Sequence, residues 1–235
     1  MRLWNGWGNE NSDLLMELNG GLRNLLQALV GPATPLAEAT LEQVMAKVPT
    51  SRAPAHPLIS TDPETRVRHA RGQSLPDWLA MHSGDVDCFP DAVALPENSQ
   101  QVRELLCYAR DNGLDVIPYG GGTSVVGHIN PAVSPRPILT IDMSAMNKLI
   151  NFDQESQLAT FGAGTAGPEL EAQLQKKGYT LGHFPQSWEL STVGGWVASR
   201  SSGQQSLHYG RIENMFAFLA QPYVLPAAVP ATCVP

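Results

Sequence analysis

The residues best suited to chemistry form a glycine-rich stretch at positions 118–124, with the sequence PYGGGTS. Consecutive glycines let a backbone curl so that several N–H groups converge on one anion, and Thr123 and Ser124 add hydroxyl donors beside them. The chain has a net charge of −7, so a phosphate group would need donors aimed at it, and this loop supplies them. Taken alone, the stretch also fits an ordinary glycine-rich surface turn.

The elements before this loop are predicted to place it at a sheet edge. Residues 89–96 alternate like a short strand, and Asn98 or Ser99 can cap a helix that ends before Gly113. Residues 114–118 then form a second strand. We expect a parallel pair with a right-handed crossover, with the loop at the carboxyl end of the strands, where ligands bind.

The N-terminal region is predicted to be helical and then extended. Ser12 or Asp13 can cap a leucine-rich helix that reaches Leu29, and a second helix is expected over residues 36–47. The prolines of residues 49–63 indicate a linker or extended strap. The basic segment 66–72 is either a phosphate contact or a solvated surface.

The second half of the chain contains further elements. Strands are predicted at residues 137–143 and 157–161, and a helix begins at Pro168 and ends at Gly178. Residues 162–167 fit the dinucleotide pattern G-x-G-x-x-G. No acidic residue ends a strand about 20 residues later, so we do not expect a nicotinamide-type site there.

Composition limits the classes of partner and the compartment. The acidic chain has no basic cluster, which argues against nucleic acid. Its cysteines form no CxxC pair, so no metal site is expected. No apolar run approaches the length of a membrane span, and the first residues do not resemble a secretion signal. We therefore expect a cytoplasmic protein that binds a small molecule, and a homo-oligomer is compatible with the sequence.

Five motifs in fixed order carry a family resemblance. They are PYGGGTS at 118–124, GHFPQSWELST at 182–192, GGWVA at 194–198, SG at 202–203 and YGRIEN at 209–214. Together they resemble the flavin domain of the vanillyl-alcohol oxidase/p-cresol methylhydroxylase (PCMH) superfamily, and within it the alkyldihydroxyacetonephosphate synthase branch with its bacterial FAD-linked oxidase relatives. The segments WNGWG at 4–8 and HARGQSLPDW at 69–78 are similar to the same branch.

The resemblance implies an α+β fold: a two-lobed PCMH-type domain with a small parallel α/β lobe, a larger mixed or antiparallel lobe and a helical N-terminal extension. It implies an extension and strap at 1–85, an FAD-binding domain at 86–215 with lobes of about 86–145 and 146–215, and an atypical apolar tail at 216–235. It implies FAD contacts along three stretches, consisting of Pro118, Tyr119, Gly120, Gly121, Gly122, Thr123, Ser124, Gln186, Ser187, Trp188, Glu189, Leu190, Ser191, Thr192, Ser199, Arg200, Ser201 and Ser202.

The likeness ends after Asn214, where the remaining residues are apolar, proline-rich and without helical or alternating period. Relatives continue with a further flavin segment and a cap domain that carries catalytic residues. We therefore expect a truncated or frame-shifted product and assign no catalytic residue.

Three functions remain open from the sequence. The first is the FAD-binding part of an enzyme that exchanges an acyl for an alkoxy group or oxidises a hydroxy acid or alcohol. The second is a non-catalytic flavin-binding remnant, and the third is a module for another phosphate ligand.

Overall fold

The computed structural model of the protein describes residues 2–9, 19–34 and 36–217. Its strands are β1 (Ile59–Ser60), β2 (Ala92–Ala94), β3 (Asp115–Tyr119), β4 (Ile138–Asp142), β5 (Leu149–Asp153) and β6 (Leu158–Phe161). Its helices are α1 (Gly20–Val30), α2 (Leu41–Met45), α3 (Pro63–Arg68), α4 (Leu75–Ser83), α5 (Ser99–Asp111), α6 (Gly167–Gln175), α7 (Val193–Ser199), α8 (Ser206–Tyr209) and α9 (Ile212–Met215).

Two separate sheets organise the chain, and the α+β class is confirmed. The first sheet has the order β1-β2-β4-β3, in which β4 is parallel to both β2 and β3 and β1 is antiparallel to β2. The second sheet is the antiparallel pair β5-β6. Because Tyr119 is in register with Asp142, the carboxyl ends of β3 and β4 lie side by side, with the glycine-rich loop directly after one of them.

The predicted strand–helix–strand unit is present, with one difference in pairing. Helix α5 begins after Asn98, whose side chain accepts a hydrogen bond from the Gln101 amide, and Gly113 follows it with φ of 67°. Strands β2 and β3 are not neighbours, because β4 lies between them. All residues of β4 are buried, so this strand takes the central position, which is covered on both faces.

Several predictions about individual segments differ from the structure. The basic segment 66–72 was predicted to be either a phosphate contact or a solvated surface, but its first half belongs to α3, and Arg66 is only 2% exposed. Helix α1 begins at Gly20 with Asn19 as its cap, so its glycines start the helix; the proposed caps Ser12 and Asp13 lie outside the described residues. Strand β5 was missed, because its residues do not alternate clearly between apolar and polar.

Three buried clusters hold these elements together. One joins the first sheet to α5 through residues such as Leu105 and Leu139. A second joins α2, α3 and α4 and includes Val44, Val67 and Phe89. The third lies between α6, α7 and α9 and includes Leu170 and Trp196. Among the described residues, no helix is both long and apolar enough to cross a membrane.

A buried carboxylate connects the N-terminal region to the first sheet. Asp91 accepts hydrogen bonds from the Arg52 amide at 3.0 Å, the Arg52 guanidinium at 2.8 and 2.9 Å, and the Ile138 amide at 2.8 Å. Burial acts to raise the pKa of Asp91, but these hydrogen bonds outweigh it and hold the pKa below its usual value. The ionised carboxylate therefore stabilises the folded state.

Replacing this carboxylate should destabilise the fold in a pH-dependent way. At neutral pH, we expect Asp91→Asn to lower the free energy of unfolding by about 2 kcal/mol, since hydrogen bonds to charged groups contribute roughly 1.5–3 kcal/mol. Because the pKa of Asp91 is lower in the folded state, the ionised carboxylate stabilises the fold fully at pH values above its unfolded-state pKa of about 3.9. This stabilisation is lost as the pH falls through the folded-state pKa. Denaturant unfolding at neutral pH and below pH 4 measures both effects.

The exposed Asp111 at the end of α5 provides the matched control, because its carboxylate pairs with the adjacent Arg110. Asp111→Asn should change stability by less than about 0.5 kcal/mol. Equal effects of the two variants would show that the connection through Asp91 does not stabilise the fold.

Candidate functional site

A cleft of about 330 Å³ lies at the carboxyl ends of β3 and β4. Four parts of the chain line it: the N-terminal segment, the region after α3, the ends of β3 and β4 with the turns that follow, and the region around α6 and α7. The lining includes Arg2, Trp4, Arg68, His69, Tyr119, Gly120, Gly121, Asp142, Ser144, Asn147, Gly164, Ala166, Glu169, Leu190 and Thr192. The prediction that the loop follows the strand ends is confirmed.

The backbone of the glycine-rich loop is held close to the segment 190–192. A Cβ atom built at Gly121 would overlap the Leu190 carbonyl oxygen and lie 2.7 Å from its carbonyl carbon, and one at Gly120 would overlap the Thr192 hydroxyl. Gly122 has φ of 63°, in the region that favours glycine, and a Cβ there would overlap the Tyr119 hydroxyl. The three glycines are therefore required by close packing and by backbone conformation.

The amides of this loop remain available. Within the described part of the chain, the N–H groups of Gly121, Gly122, Thr123 and Ser124 donate no hydrogen bond. Backbone donors are almost always paired when they are away from water, so consecutive free donors beside a cleft suit an anionic ligand. Among the loop hydroxyls, Ser124 Oγ lies 3.1 Å from His128 Nδ1.

The segment 190–192 is positioned by backbone contacts with the region before α6. Thr192 caps α7 by accepting a hydrogen bond from the Gly195 amide at 3.4 Å, and it forms a bridge with Ala166. The Val193 amide donates to the Thr165 carbonyl at 3.0 Å, and Gly194 to the Ala163 carbonyl at 2.9 Å. These contacts bring two distant parts of the sequence to the same wall of the cleft.

A histidine–aspartate pair lies at the base of the cleft. His69 Nδ1 is 2.7 Å from the Thr65 carbonyl oxygen, and Nε2 is 2.9 Å from the Asp142 carboxylate. Both partners offer oxygen atoms that accept hydrogen bonds, so the two contacts fix the orientation of the imidazole ring. The ring also packs on Tyr119 with centroids 4.6 Å apart, which places it next to the residue that precedes the glycines.

The environment of Tyr119 is set by burial and by two charges. Burial raises the pKa of its phenol, the positive charge of Arg2 acts to lower it, and the negative charge of Asp142 acts to raise it. The phenol therefore stays neutral at physiological pH and serves as a packing surface beneath Gly122.

The region after α3 braces the glycine loop from the other side. The Gln73 amide donates to the Ser124 carbonyl at 2.6 Å, and the Gly72 amide donates to Asn130 Oδ1 at 2.9 Å. Asn130 Nδ2 then donates to Asp77 at 2.7 Å. The basic segment thus contributes structure to the loop as well as residues to the cleft.

The structure brings some of the predicted site residues together at the cleft and places others elsewhere. Those that line it are Tyr119, Gly120, Gly121, Leu190 and Thr192. Residues 186–190 form a turn, and Ser191 accepts a hydrogen bond from the Trp196 indole at 2.7 Å. The Trp188 indole nitrogen is buried and has no partner among the described residues.

The predicted site residues 199–202 lie at the carboxyl end of α7, whereas Thr192 caps its amino end. Ser199 Oγ donates to the Gly195 carbonyl at 2.8 Å, and Arg200 pairs with Glu213 at 2.8 Å. Ser201 Oγ is 3.1 Å from Nε2 of the buried His183, and burial lowers the pKa of this histidine. Ser202 is exposed.

Several cleft residues were missed by the sequence reasoning. The set includes Arg2, Trp4, Asn5, Asp142, Ser144, Asn147, Gly164, Ala166 and Glu169, whereas His69 belongs to the basic segment 66–72, for which a phosphate contact was one of two interpretations. Gly164 was set aside as part of a nicotinamide-like pattern, yet a Cβ there would overlap the Met143 carbonyl oxygen. The signal for Asp142 was present, since a polar residue ends a buried strand next to β3.

Comparison with known proteins identifies the family of this chain and its cofactor. A family model described as an FAD binding domain matches residues 90–220, more than half of the chain. The chain belongs to this family. FAD is therefore the cofactor, and the residues that the family model matches include the glycine loop, strands β2 to β6 and helices α5 to α9.

The relatives share much of this sequence. Alkyldihydroxyacetonephosphate synthase of Dictyostelium discoideum is 42% identical over 157 residues, which cover 67% of this chain and 26% of that protein. The synthase of Trypanosoma brucei brucei is 39% identical over 176 residues, which cover 74% and 28%. A solved structure of an alkyldihydroxyacetonephosphate synthase superposes with a TM-score of 0.77 and 32% identity, covering 91% of this chain and 44% of that one. The chain spans less than half the length of these relatives.

Disrupting the close contact between the glycine loop and Leu190 should impair FAD binding. In Gly121→Ala the new methyl group would overlap a backbone carbonyl, which cannot move away as a flexible side chain can. We expect the FAD-binding domain to keep its secondary structure but bind FAD at least tenfold more weakly. Circular dichroism checks the fold, and fluorescence titration measures the dissociation constant.

The matched control is Gly20→Ala at the start of α1, where a Cβ meets nothing within 4 Å. It should bind FAD as the wild type does. Unchanged FAD affinity in Gly121→Ala would contradict the assignment of the loop to the cofactor site.

Proposed function

We propose that the glycine loop 118–124 holds the diphosphate of FAD through its main-chain amides, and that residues 186–192 and 199–202 contact the rest of the cofactor. The observation that carries this proposal is the run of free amides from Gly121 to Ser124 beside the cleft. A diphosphate has several oxygens that each require a donor. Hydrogen bonds to such charged groups are short and strong.

The electrostatics of the cleft support an anionic ligand there. The net charge of −7 disfavours anions at long range, so the local donors must supply the attraction. Arg2, whose side chain has no acidic partner among the described residues, lines this region. Leu190 adds an apolar contact of the kind that a flavin or adenine ring requires.

We further propose the division of the chain that its resemblance implied. Residues 86–215 form the FAD-binding domain, with one lobe at about 86–145 and another at about 146–215. Residues 1–85 form the extension and strap. Contacts support a close association of these parts, because β1 pairs with β2 and the N-terminal segment lines the cleft. The proposed tail, 216–235, lies mostly outside the described residues.

For the whole protein, we propose an FAD-dependent activity of the alkyldihydroxyacetonephosphate synthase type, the exchange of an acyl for an alkoxy group. Two observations favour this activity over oxidation of a hydroxy acid or alcohol. The synthases match at 39–42% identity over 67–74% of the chain. A glycolate oxidase subunit of Bacillus subtilis matches at 28% identity over 52%.

A cytoplasmic location, a small-molecule substrate and the absence of a nucleic-acid partner complete the proposal. They rest on the acidic composition and on the lack of a basic cluster. A homo-oligomer is compatible with them.

Flavin binding by the purified chain tests the cofactor site. We expect the protein to bind FAD, and ADP to compete with it, because both carry the diphosphate that the loop holds. Riboflavin, which has no phosphate, should bind at least tenfold more weakly, as measured by fluorescence titration. Equal affinity for riboflavin and FAD, or no binding of FAD, would overturn the proposed site.

Activity measurements then separate the proposed enzyme from its alternatives. With FAD bound, acyl-to-alkoxy exchange would support the synthase-type activity, and dye reduction that depends on a hydroxy acid would favour an oxidoreductase. A protein that binds FAD but turns over neither substrate class would be the non-catalytic remnant. A protein that binds ADP but not FAD would be a module for another phosphate ligand.

A further inference from the structure

We infer that Arg2 is a cofactor-binding residue whose guanidinium contacts the FAD diphosphate from the N-terminal segment of the cleft. This inference rests on the proposed function, because it requires the diphosphate to lie at the glycine loop. None of the family motifs that located the loop includes Arg2. It adds a cationic contact to a site whose other donors are main-chain amides.

The N-terminal segment forms a small hairpin at the cleft. Arg2 pairs with Asn9 in an antiparallel bridge, and the Leu3 amide donates to the Gly8 carbonyl at 3.0 Å. Gly8 permits this turn with φ of 99°. Residues 2–6 line the same cleft as Gly120 and Gly121, so the hairpin forms one of its walls.

Two contacts anchor this hairpin to the body of the protein. Trp4 packs against the buried cluster that contains Val67 and Met81. Arg68 Nη1 donates to the Arg2 carbonyl oxygen at 2.8 Å. The backbone of Arg2 is thus fixed on both sides, so only its side chain has to be ordered when a ligand binds.

The other basic side chains of the cleft already have acidic partners. Arg68 pairs with Glu64 at 2.8 Å, Arg71 with Asp87, and His69 with Asp142 at 2.9 Å. Arg2, by contrast, makes no hydrogen bond or ion pair through its side chain with any residue that the structure describes.

The charge of Arg2 reaches the residue that precedes the glycines. It acts on the buried phenol of Tyr119, whose pKa it lowers against the effect of burial. Tyr119, Gly120 and Gly121 all line the cleft. Arg2, which has no acidic partner among the described residues, and Gly121, whose amide is free, therefore line one cleft, and a diphosphate there can accept hydrogen bonds from both.

Arginine suits this role because its planar guanidinium can donate two parallel hydrogen bonds to phosphate oxygens. Removing one charged donor from such a contact costs roughly ten- to hundredfold in affinity. Lysine can replace the charge but not the paired geometry, so it should recover only part of the loss.

The test is FAD, ADP and riboflavin titration of the wild-type chain, Arg2→Gln, Arg2→Lys and the control Arg23→Gln. Arg23 is exposed on α1. We expect Arg2→Gln to weaken FAD and ADP binding by ten- to hundredfold and leave riboflavin binding unchanged. Arg2→Lys should lie between Arg2→Gln and the wild type, and Arg23→Gln should match the wild type. The dependence of FAD affinity on salt should be smaller in Arg2→Gln, because one screened attraction is gone.

The outcomes separate this inference from the proposed function. If the wild type binds FAD and Arg2→Gln binds it equally well, the inference is wrong and the loop site stands. An equal loss of FAD and riboflavin affinity would show that Arg2 only supports the fold, which also overturns the inference. If the wild type prefers neither FAD nor ADP over riboflavin, the proposed site fails, and the role of Arg2 fails with it.

Discussion

The cleft depends on one close approach between two backbones, that of the glycine loop and that of Leu190 to Thr192. No Cβ fits at Gly120 or Gly121, so any other residue would push the two segments apart. The contact joins the carboxyl end of β3 to the start of α7, which are about 70 residues apart in sequence. It also leaves the amides of Gly121 to Ser124 without a hydrogen-bond acceptor among the described residues, and Gly121 lines the cleft. The same glycines therefore serve two purposes. Their missing side chains permit the close packing, and their free amides are available to a ligand.

The surroundings of the loop compensate for an overall charge that disfavours anions. His69 is held by two acceptors and packs at a tilt on Tyr119, while the Asp142 carboxylate that contacts it is itself fixed by the Ser144 amide at 2.8 Å. Most basic groups of the cleft are paired in this way, which limits nonspecific attraction of anions. Specificity then depends on the consecutive free amides of the glycine loop, and the proposed contact of Arg2 adds attraction at a single point.

The sequence predicted the parts of the fold that local patterns control. The cap at Asn98, the glycine after α5 and the strand before the glycine loop all follow from short-range rules, and they are confirmed. The insertion of β4 between β2 and β3 could not be read in this way, since strand order is decided by which strand is buried on both faces. For the same reason the site was predicted only in part. The motif 118–124 was visible, but Arg2, His69 and Asp142 reach the cleft only through long-range packing.

The most direct test of the central claim is nuclear magnetic resonance of the ¹⁵N-labelled chain during titration with FAD and with ADP. The account predicts large shifts and slower hydrogen exchange for the amides of Gly121, Gly122, Thr123 and Ser124 with either ligand, because each amide gains a phosphate oxygen as acceptor. The amide of Gly113, which is already bonded to the Arg110 carbonyl at the far end of α5, should not change. Saturation with FAD that leaves the loop amides unshifted and equally fast in exchange would contradict the account.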